Sequence, residues 1–176
     1  VYYHGNAGSA CDRSFTAATL EQSNASLIYV EYAGYSNDTV KPSRELILKD
    51  VENIHNYVEK KAFSDVFIYG QSIGSGPASY HASLGNVQHL ILVTPFSTLA
   101  KVAQSKYIIY PVSMLLTENY DNIQWLQEYT GRLIIFHGDN DTLVPHRFSQ
   151  QLYDAIPNKS KEYILIEAMG HNDLWG

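Results

Sequence analysis

Three kinds of residue that can act together in acyl transfer each follow a short apolar run in this chain. Ser72 stands between two glycines after the first such run, Asp139 and Asp141 follow a second, and His171 follows a third. A serine hydroxyl is a poor nucleophile until a histidine takes its proton, and that histidine needs a carboxylate to orient its ring. These residue types therefore predict nucleophilic chemistry at Ser72, provided that folding brings them together.

The segment around Ser72 has the form of a sharp turn between a strand and a helix. It follows the β-branched and aromatic run Val66–Tyr69, and Gly70 and Gly74 stand two places on either side of the serine. Such a nucleophile elbow needs small residues there because the strand and helix backbones pass very close to each other. A serine in an ordinary glycine turn is the alternative. A phosphate-binding loop is not expected, because the spacing is not G-x-G-x-x-G and no Lys-Ser/Thr pair follows.

The elements that must position these residues alternate between strand and helix. This order predicts an α/β protein with a mostly parallel, doubly wound sheet and helices on both faces. In such sheets functional groups lie in the loops at the carboxyl ends of the strands. The predicted strands are Val1–Tyr3, Leu27–Tyr32, Val66–Tyr69, Leu90–Thr94, Leu133–His137 and Tyr163–Glu167.

The clearest helix is predicted over Pro42–Lys60, with proline in its first turn and lysines in its last. Its apolar residues recur at steps of three and four and form one stripe. The stripe consists of Leu46, Ile47, Val51, Ile54 and Val58. Further helices are predicted over 12–22, 73–84, 99–105 and 146–156.

Acyl transfer also needs N–H donors that stabilise the oxyanion formed during the reaction. One is expected to be the backbone N–H of Ile73, directly after the serine. The other is expected from the glycine-rich loop 4–8 behind the first strand, where we predict the backbone N–H of Asn6. Each of the four parts of the site then follows its own strand, a combination more specific than any single part.

The motifs together resemble those of the α/β hydrolases. The resemblance is to the small, nearly cap-less branch related to serine-aminopeptidase-like hydrolases and acyl-protein thioesterases, and it spans essentially the whole chain. The matching stretches are HGNAG (4–8), EYAGYSND (31–38), GQSIGSGPA (70–78), TPFSTL (94–99), HGDNDTLVP (137–145) and GHNDLW (170–175). The order nucleophile, acid, base is also that of α/β hydrolases.

The resemblance implies a three-layer α/β/α sandwich and assigns roles within it. The final acid of the family's HG-x-x-D motif falls on Asp141, which leaves Asp139 as the alternative acid, and the family's histidine falls on His171. The family's fold also has an initial antiparallel hairpin and a closing helix, neither of which is clearly represented. Glu31, Ala33 and Ser36 depart from the family's D-Y-R-G-Y-G-x-S pattern, which puts local loop geometry or substrate shape in question.

Other polar residues in these motifs are expected to have structural roles. We predict that Asp173 supports a neighbouring site residue or caps a helix rather than reacting, and that His4 and His137 make structural hydrogen bonds at strand ends, with no metal bound. Cys11, the only cysteine, is expected to be an inert, partly buried thiol. The histidines at 55, 81, 89 and 146 show no ligand-like spacing and are expected on the surface or on helices.

Composition limits the remaining classes. With 45% hydrophobic and 17% charged residues, the 176-residue chain is expected to form one domain, 1–176, with a short lid-like excursion near 107–120. A net charge of −6 and the lack of a basic cluster argue against nucleic-acid binding. No apolar run reaches the roughly 20 residues of a membrane span. A cytoplasmic location is expected, and both ends look cut, so that anchoring or targeting segments would be absent.

The sequence thus predicts a serine hydrolase that cleaves carboxylic ester or thioester bonds through an acyl-enzyme and needs no cofactor. The expected partner is a small-molecule or lipid ester, or an acylated protein. An amide substrate, as in a peptidase, and an acceptor other than water, as in an acyltransferase, use the same residues. A hydrolase-fold protein that binds without turnover is the non-enzymatic alternative.

Overall fold

One sheet positions every other element of this protein. In the computed structural model, which describes residues 1–6, 8–14, 16–17, 25–35, 39–106 and 118–173, the strands form a single six-stranded sheet. The strands are β1 (Tyr2–Tyr3), β2 (Tyr29–Val30), β3 (Phe67–Gln71), β4 (His89–Val93), β5 (Arg132–Gly138) and β6 (Lys161–Ile166).

The sheet has the doubly wound topology that the sequence predicts. All pairs of described strands are parallel, and their order is β2-β1-β3-β4-β5-β6. The chain therefore starts inside the sheet at β1, moves to one edge, and returns through β3 to the other edge. The predicted strands are all present, with ends displaced by at most two residues. The central strands are covered on both faces, as their continuous apolar sequences predict.

The described α-helices follow the strands. They are α1 (Arg44–Lys61), α2 (Ser75–Ser83), α3 (Leu99–Lys106), α4 (Asn122–Trp125) and α5 (Arg147–Ala155), and short 3₁₀ turns cover Cys11–Arg13 and Ser72–Gly74. The helix predicted over 12–22 begins as the first of these turns, and most of its remaining positions lie outside the described residues. The predicted excursion near 107–120 also lies outside them, except for 118–120.

The long helix α1 differs from its prediction at its first turn. Ser43 is the N-cap, and its hydroxyl accepts a hydrogen bond from Leu46 N–H at 3.3 Å, so Pro42 precedes the helix. Leu46 is 37% exposed and does not belong to the buried stripe. The residues of the stripe that are buried are Ile47, Val51 and Val58.

The four-residue helix α4 was not predicted, because four residues are too few to show the repeated spacing of apolar residues by which a helix is recognised. It is held in the fold by polar contacts. Asp121 accepts from Gln124 N–H at 3.0 Å, and the buried Asn122 donates to Phe96 O at 2.9 Å. Asn122 also donates to Ser75 Oγ, at the first residue of α2. The crossover between β4 and β5 is thereby fixed against the helix that follows Ser72.

The core has two parts. The larger part lies around the central strands, where Leu90, Leu92, Leu133 and Ile135 are fully buried. The smaller part lies near the carboxyl ends of the strands and consists of Phe96, Val102, Tyr120, Val144 and Phe148, with Ile73 packed against it. No helix among the described residues combines the length and the apolar composition of a membrane span.

Candidate active site

Ser72 lies at a sharp turn between β3 and α2. Its φ of +54° is in the left-handed region, which costs a residue with a side chain about 1–3 kcal/mol. Both flanking glycines are required by close approach. A Cβ at Gly70 would stand 2.5 Å from Ala78 Cβ, and one at Gly74 would stand 2.3 Å from Tyr3 O. The turn is therefore held between β1, β3 and α2, and the strained backbone at Ser72 is fixed by its surroundings.

His171 is in contact with the serine. It lies in the loop after β6, and its Nε2 is 2.9 Å from Ser72 Oγ. Its Nδ1 is 2.7 Å from Asp141 Oδ2. An ionised carboxylate only accepts hydrogen bonds, so Nδ1 carries the proton and Nε2 is the acceptor for the serine hydroxyl. In this tautomer the ring can take the serine proton.

Asp141 is the acid that the structure brings against His171. Its Oδ1 accepts from the N–H groups of Leu143 at 2.9 Å and Val144 at 2.8 Å. Burial by itself raises the pKa of Asp141, but the hydrogen bonds from His137, His171 and Val144 outweigh it and hold the pKa well below its usual value. The carboxylate is therefore charged at neutral pH. Asp139 is exposed, and its backbone N–H donates to Ile166 O in β6.

His137, the residue before the last of β5, also contacts this carboxylate. Its Nε2 is 3.1 Å from Asp141 Oδ2 and 2.8 Å from Val144 O. Both partners are acceptors, so Nε2 carries the proton. The side chain is completely buried, and Nδ1 has no hydrogen-bond partner among the described residues. The structural hydrogen bond expected of His137 is thus made to the acid itself.

The loop after β1 lies beside the serine. A Cβ built on Gly5 would stand 3.7 Å from Ser72 Cβ, so the backbone of this loop lies next to Ser72. Ala7 lies outside the described residues. The assignment of the backbone N–H groups of Asn6 and Ile73 as oxyanion donors stays a prediction.

Aromatic side chains from the loop after β2 support the loop 4–6. Tyr32 OH donates to His4 O at 2.9 Å, and its ring stacks on the His4 ring with a centroid distance of 4.4 Å. Tyr35 OH donates to Asn6 Oδ1 at 2.9 Å. Glu31 accepts from Ala10 N–H at 2.8 Å. Glu31 departs from the family pattern in the motif 31–38, but through this hydrogen bond it still braces the loop.

Comparison with known proteins agrees with this architecture. The chain is 25% identical over 182 residues to α/β hydrolase domain-containing protein 17C of Xenopus tropicalis, a match that covers 99% of the chain and 56% of that protein. A monoacylglycerol lipase of Paleococcus ferrophilus superposes with a TM-score of 0.73 at 14% identity, covering 97% of this chain and 84% of the lipase. Est1E of Butyrivibrio proteoclasticus, solved with ferulic acid bound, superposes with a TM-score of 0.75 at 17% identity, covering 97% of this chain and 79% of Est1E.

The chain has the α/β-hydrolase fold, and its similarity in sequence to proteins named as α/β hydrolases supports a place in that superfamily. No protein-family model matches it. It spans about three fifths of the length of the curated relatives that it matches.

Two interactions around this site were not predicted from the sequence. These are the Tyr35–Asn6 hydrogen bond and the direct contact of His137 with the acid. The motifs 4–8, 31–38 and 137–145 mark the loops in which these residues lie, but not which polar atoms meet. Asp173 Oδ2 accepts from Gly170 N–H at 2.7 Å, a local contact within the loop that carries His171.

Two minor expectations were wrong. Cys11 is exposed, because the 3₁₀ turn Cys11–Arg13 has no buried residue. His89 lies in β4, where its ring stacks on Phe67 at 4.1 Å. His81 does lie on helix α2, but it is fully buried and bonded to Tyr3 OH at 2.7 Å. Among the described residues, no group of three or more His, Cys, Asp or Glu side chains could hold a metal ion.

Proposed function

We propose that this protein is a serine hydrolase that cleaves carboxylic ester or thioester bonds through an acyl-enzyme. The observation that carries the proposal is the continuous hydrogen-bonded path from Ser72 Oγ through His171 to Asp141. The proton positions required by this path leave His171 Nε2 ready to accept the serine proton. This is the arrangement that nucleophilic catalysis by a serine requires.

In the proposed mechanism Ser72 Oγ attacks the acyl carbon while its proton passes to His171 Nε2. The oxyanion that forms would be stabilised by the backbone N–H groups of Asn6 and Ile73. The tetrahedral adduct then collapses, and the protonated His171 gives its proton to the leaving alcohol or thiol. Water enters, loses a proton to His171 and attacks the acyl-enzyme, which releases the carboxylic acid and restores Ser72.

The proposed ester substrate class is supported by the structural neighbours. One of them is described as a monoacylglycerol lipase, another has ferulic acid bound, and a third is described as an esterase. These descriptions favour a small-molecule or lipid ester as our first substrate class. A thioester or an acyl group on a protein uses the same chemistry and is a further candidate.

A fluorophosphonate probe tests the nucleophile directly. We expect intact-mass analysis to detect one covalent adduct on the wild-type protein and none on Ser72→Ala. The matched control is Ser83→Ala, because Ser83 is exposed at the end of α2 and donates only to Tyr80 O. It should be labelled like the wild type. An unlabelled wild-type protein, or a labelled Ser72→Ala variant, would contradict the proposal.

A substrate panel then separates the ester from the other acyl groups. Matched p-nitrophenyl esters, thioesters and anilides of increasing chain length present the same acyl groups with different leaving atoms. We expect the highest kcat/KM among the esters or thioesters. Preferential turnover of anilides would instead favour the peptidase alternative, and adduct formation without turnover of any member would favour an acyl transfer to another acceptor.

A further inference from the structure

The buried imidazole of His137 has no assigned part in the mechanism above, although it touches the acid. Its backbone is fixed because β5 is paired on one side with β4 and on the other with β6, where His137 is in register with Leu165. Its side chain is fully buried. The ring is therefore held in place by the sheet itself.

The protonation of this ring follows from its partners. Nε2 faces two acceptors, Asp141 Oδ2 at 3.1 Å and Val144 O at 2.8 Å, and must carry a hydrogen. A proton on Nδ1 as well would bury an N–H with no acceptor among the described residues. The contacts therefore assign a hydrogen to Nε2, and this N–H group donates to Asp141.

We propose that His137 is a positioning residue of the active site, which holds Asp141 Oδ2 through its Nε2–H and thereby sets how strongly Asp141 attracts the proton of His171. This inference rests on the proposed function. Two N–H donors, one from each histidine, share a single carboxylate oxygen. An oxygen with two acceptor directions can satisfy both, but each donor reduces the negative charge that the other one meets.

Removing the His137 donor should therefore have two opposing consequences. The carboxylate loses one of the contacts that prevent its rotation, which slows the reaction. At the same time Asp141 interacts more strongly with His171, so the imidazolium form of His171 becomes more favourable. A residue that merely tied the Asp141 loop to Val144 O would produce the first consequence without the second.

Other charged side chains lie in the loops and helix end around Asp141 and His171. Lys106 at the end of α3 donates to Thr142 O at 2.6 Å, Asp139 is exposed, and Asp173 is bound to Gly170 N–H. None of these contacts includes the ring of His137. Variants at 137 therefore leave them in place.

Three variants separate the two roles. In His137→Gln the side-chain amide nitrogen stands close to where Nε2 stood and can still donate to Asp141. His137→Phe keeps the ring volume without a donor. His137→Asn is the second donor-free variant, for use if the phenylalanine variant does not fold, because its amide is too short to reach Asp141.

The first measurement does not need activity. We expect the low-field Nδ1–H proton resonance of His171 to move further downfield in His137→Phe and His137→Asn, and to return toward its wild-type position in His137→Gln. The second measurement is the pH profile of kcat/KM, or of the fluorophosphonate labelling rate. Its acidic limb should move to higher pH by about half a unit in the donor-free variants, with the plateau lowered about tenfold.

Each outcome decides something. Donor-free variants whose His171 resonance and acidic limb match those of the wild type would overturn the inference, even if their activity falls. The same is true if His137→Gln fails to restore either signal. A wild-type protein that the probe does not label contradicts the proposed function alone, because the resonance still reports whether His137 acts on His171 through Asp141.

Discussion

The substitution Asp141→Asn tests the proton arrangement of the site at a single atom. Oδ1 of Asp141 accepts two backbone N–H groups at 2.9 and 2.8 Å, so asparagine should keep its carbonyl oxygen there. Its NH₂ group then replaces Oδ2, opposite the donors of His137 and His171. The NH₂ group of asparagine cannot accept a hydrogen bond from Nδ1–H of His171, so His171 must carry its proton on Nε2 instead. Nε2 can then no longer accept the proton of Ser72.

The expected loss of activity is large. The corresponding exchange in a serine protease lowers kcat by about 10⁴ through the same change of tautomer. We expect kcat/KM to fall by about 10³–10⁴, equivalent to about 4–5.5 kcal/mol of transition-state stabilisation. The folded state should also lose about 2–3 kcal/mol, because hydrogen bonds to a buried charged group contribute about 1.5–3 kcal/mol each.

The pH dependence of this stability difference has a definite sign. The pKa of Asp141 is depressed in the folded protein, so its contribution is complete above the ordinary carboxyl pKa of about 4 and is lost as the pH falls toward the folded value. The gap between wild type and Asp141→Asn in urea denaturation should therefore be constant at neutral pH and shrink below about pH 4.

Steady-state ester hydrolysis and fluorophosphonate labelling measure the activity, and Asp139→Asn is the matched control. Asp139 has an exposed side chain two residues away, so its asparagine variant should keep wild-type activity within about twofold. Retention of more than a tenth of the activity in Asp141→Asn would refute the reasoning. So would an equal loss in Asp139→Asn.

Three further expectations concern the supports of the site. Gly74→Ala places a methyl group 2.3 Å from Tyr3 O, and we expect it to lower the free energy of unfolding, measured in urea, by about 3 kcal/mol or more. The control Gly85→Ala meets nothing within 4 Å but has a φ of +102°, so it should lower the same free energy by only about 1–2 kcal/mol. Tyr35→Phe removes the hydrogen bond to Asn6 and should lower the labelling rate about three- to tenfold with little change in Tm. Burial lowers the pKa of His81 to about 3, so His81 should make wild-type stability fall by up to about 1.4 kcal/mol per pH unit as the pH drops below about 6.5. His81→Leu loses the bond to Tyr3 but should reduce the measured slope by that contribution, and an unchanged slope would contradict it.

The order of the elements could be predicted because each central strand is a continuous apolar run. Such runs occur where both faces of a strand are covered, and β4 and β5 are examples. The ends of strands were less certain. β6 begins at Lys161, whose ammonium group reaches Ile156 O at 2.6 Å, and a lysine in a strand is invisible to a search for apolar residues. Helix α4 could not be found, since capping by Asp121 rather than apolar spacing defines it.

The site residues were accessible from sequence to different degrees. Ser72, Asp141 and His171 each follow a strand and lie close to glycine, so their meeting follows from the topology of a parallel sheet. The contacts of Tyr35 and His137 depend instead on side-chain rotamers and on which of several nearby acceptors each polar atom reaches. A periodicity of apolar residues carries no information about such choices.

The strained backbone at Ser72 and the buried donors around Asp141 have the same physical effect on the site. A residue with φ of +54° persists only where its neighbours leave no alternative, and Gly70 and Gly74 let β3, α2 and the end of β1 close around it. On the other side, Asp141 is fixed by its hydrogen-bond donors. Since Ser72 and Asp141 are both held by the sheet, only the loop that carries His171 must be placed correctly for the proposed proton transfer. Its position is limited in turn, because a Cβ at Gly138 would stand 2.1 Å from Met169 O, so the loops after β5 and β6 are in direct contact. Little reorganisation is then required when charge develops, which is the condition under which electrostatic stabilisation is most effective.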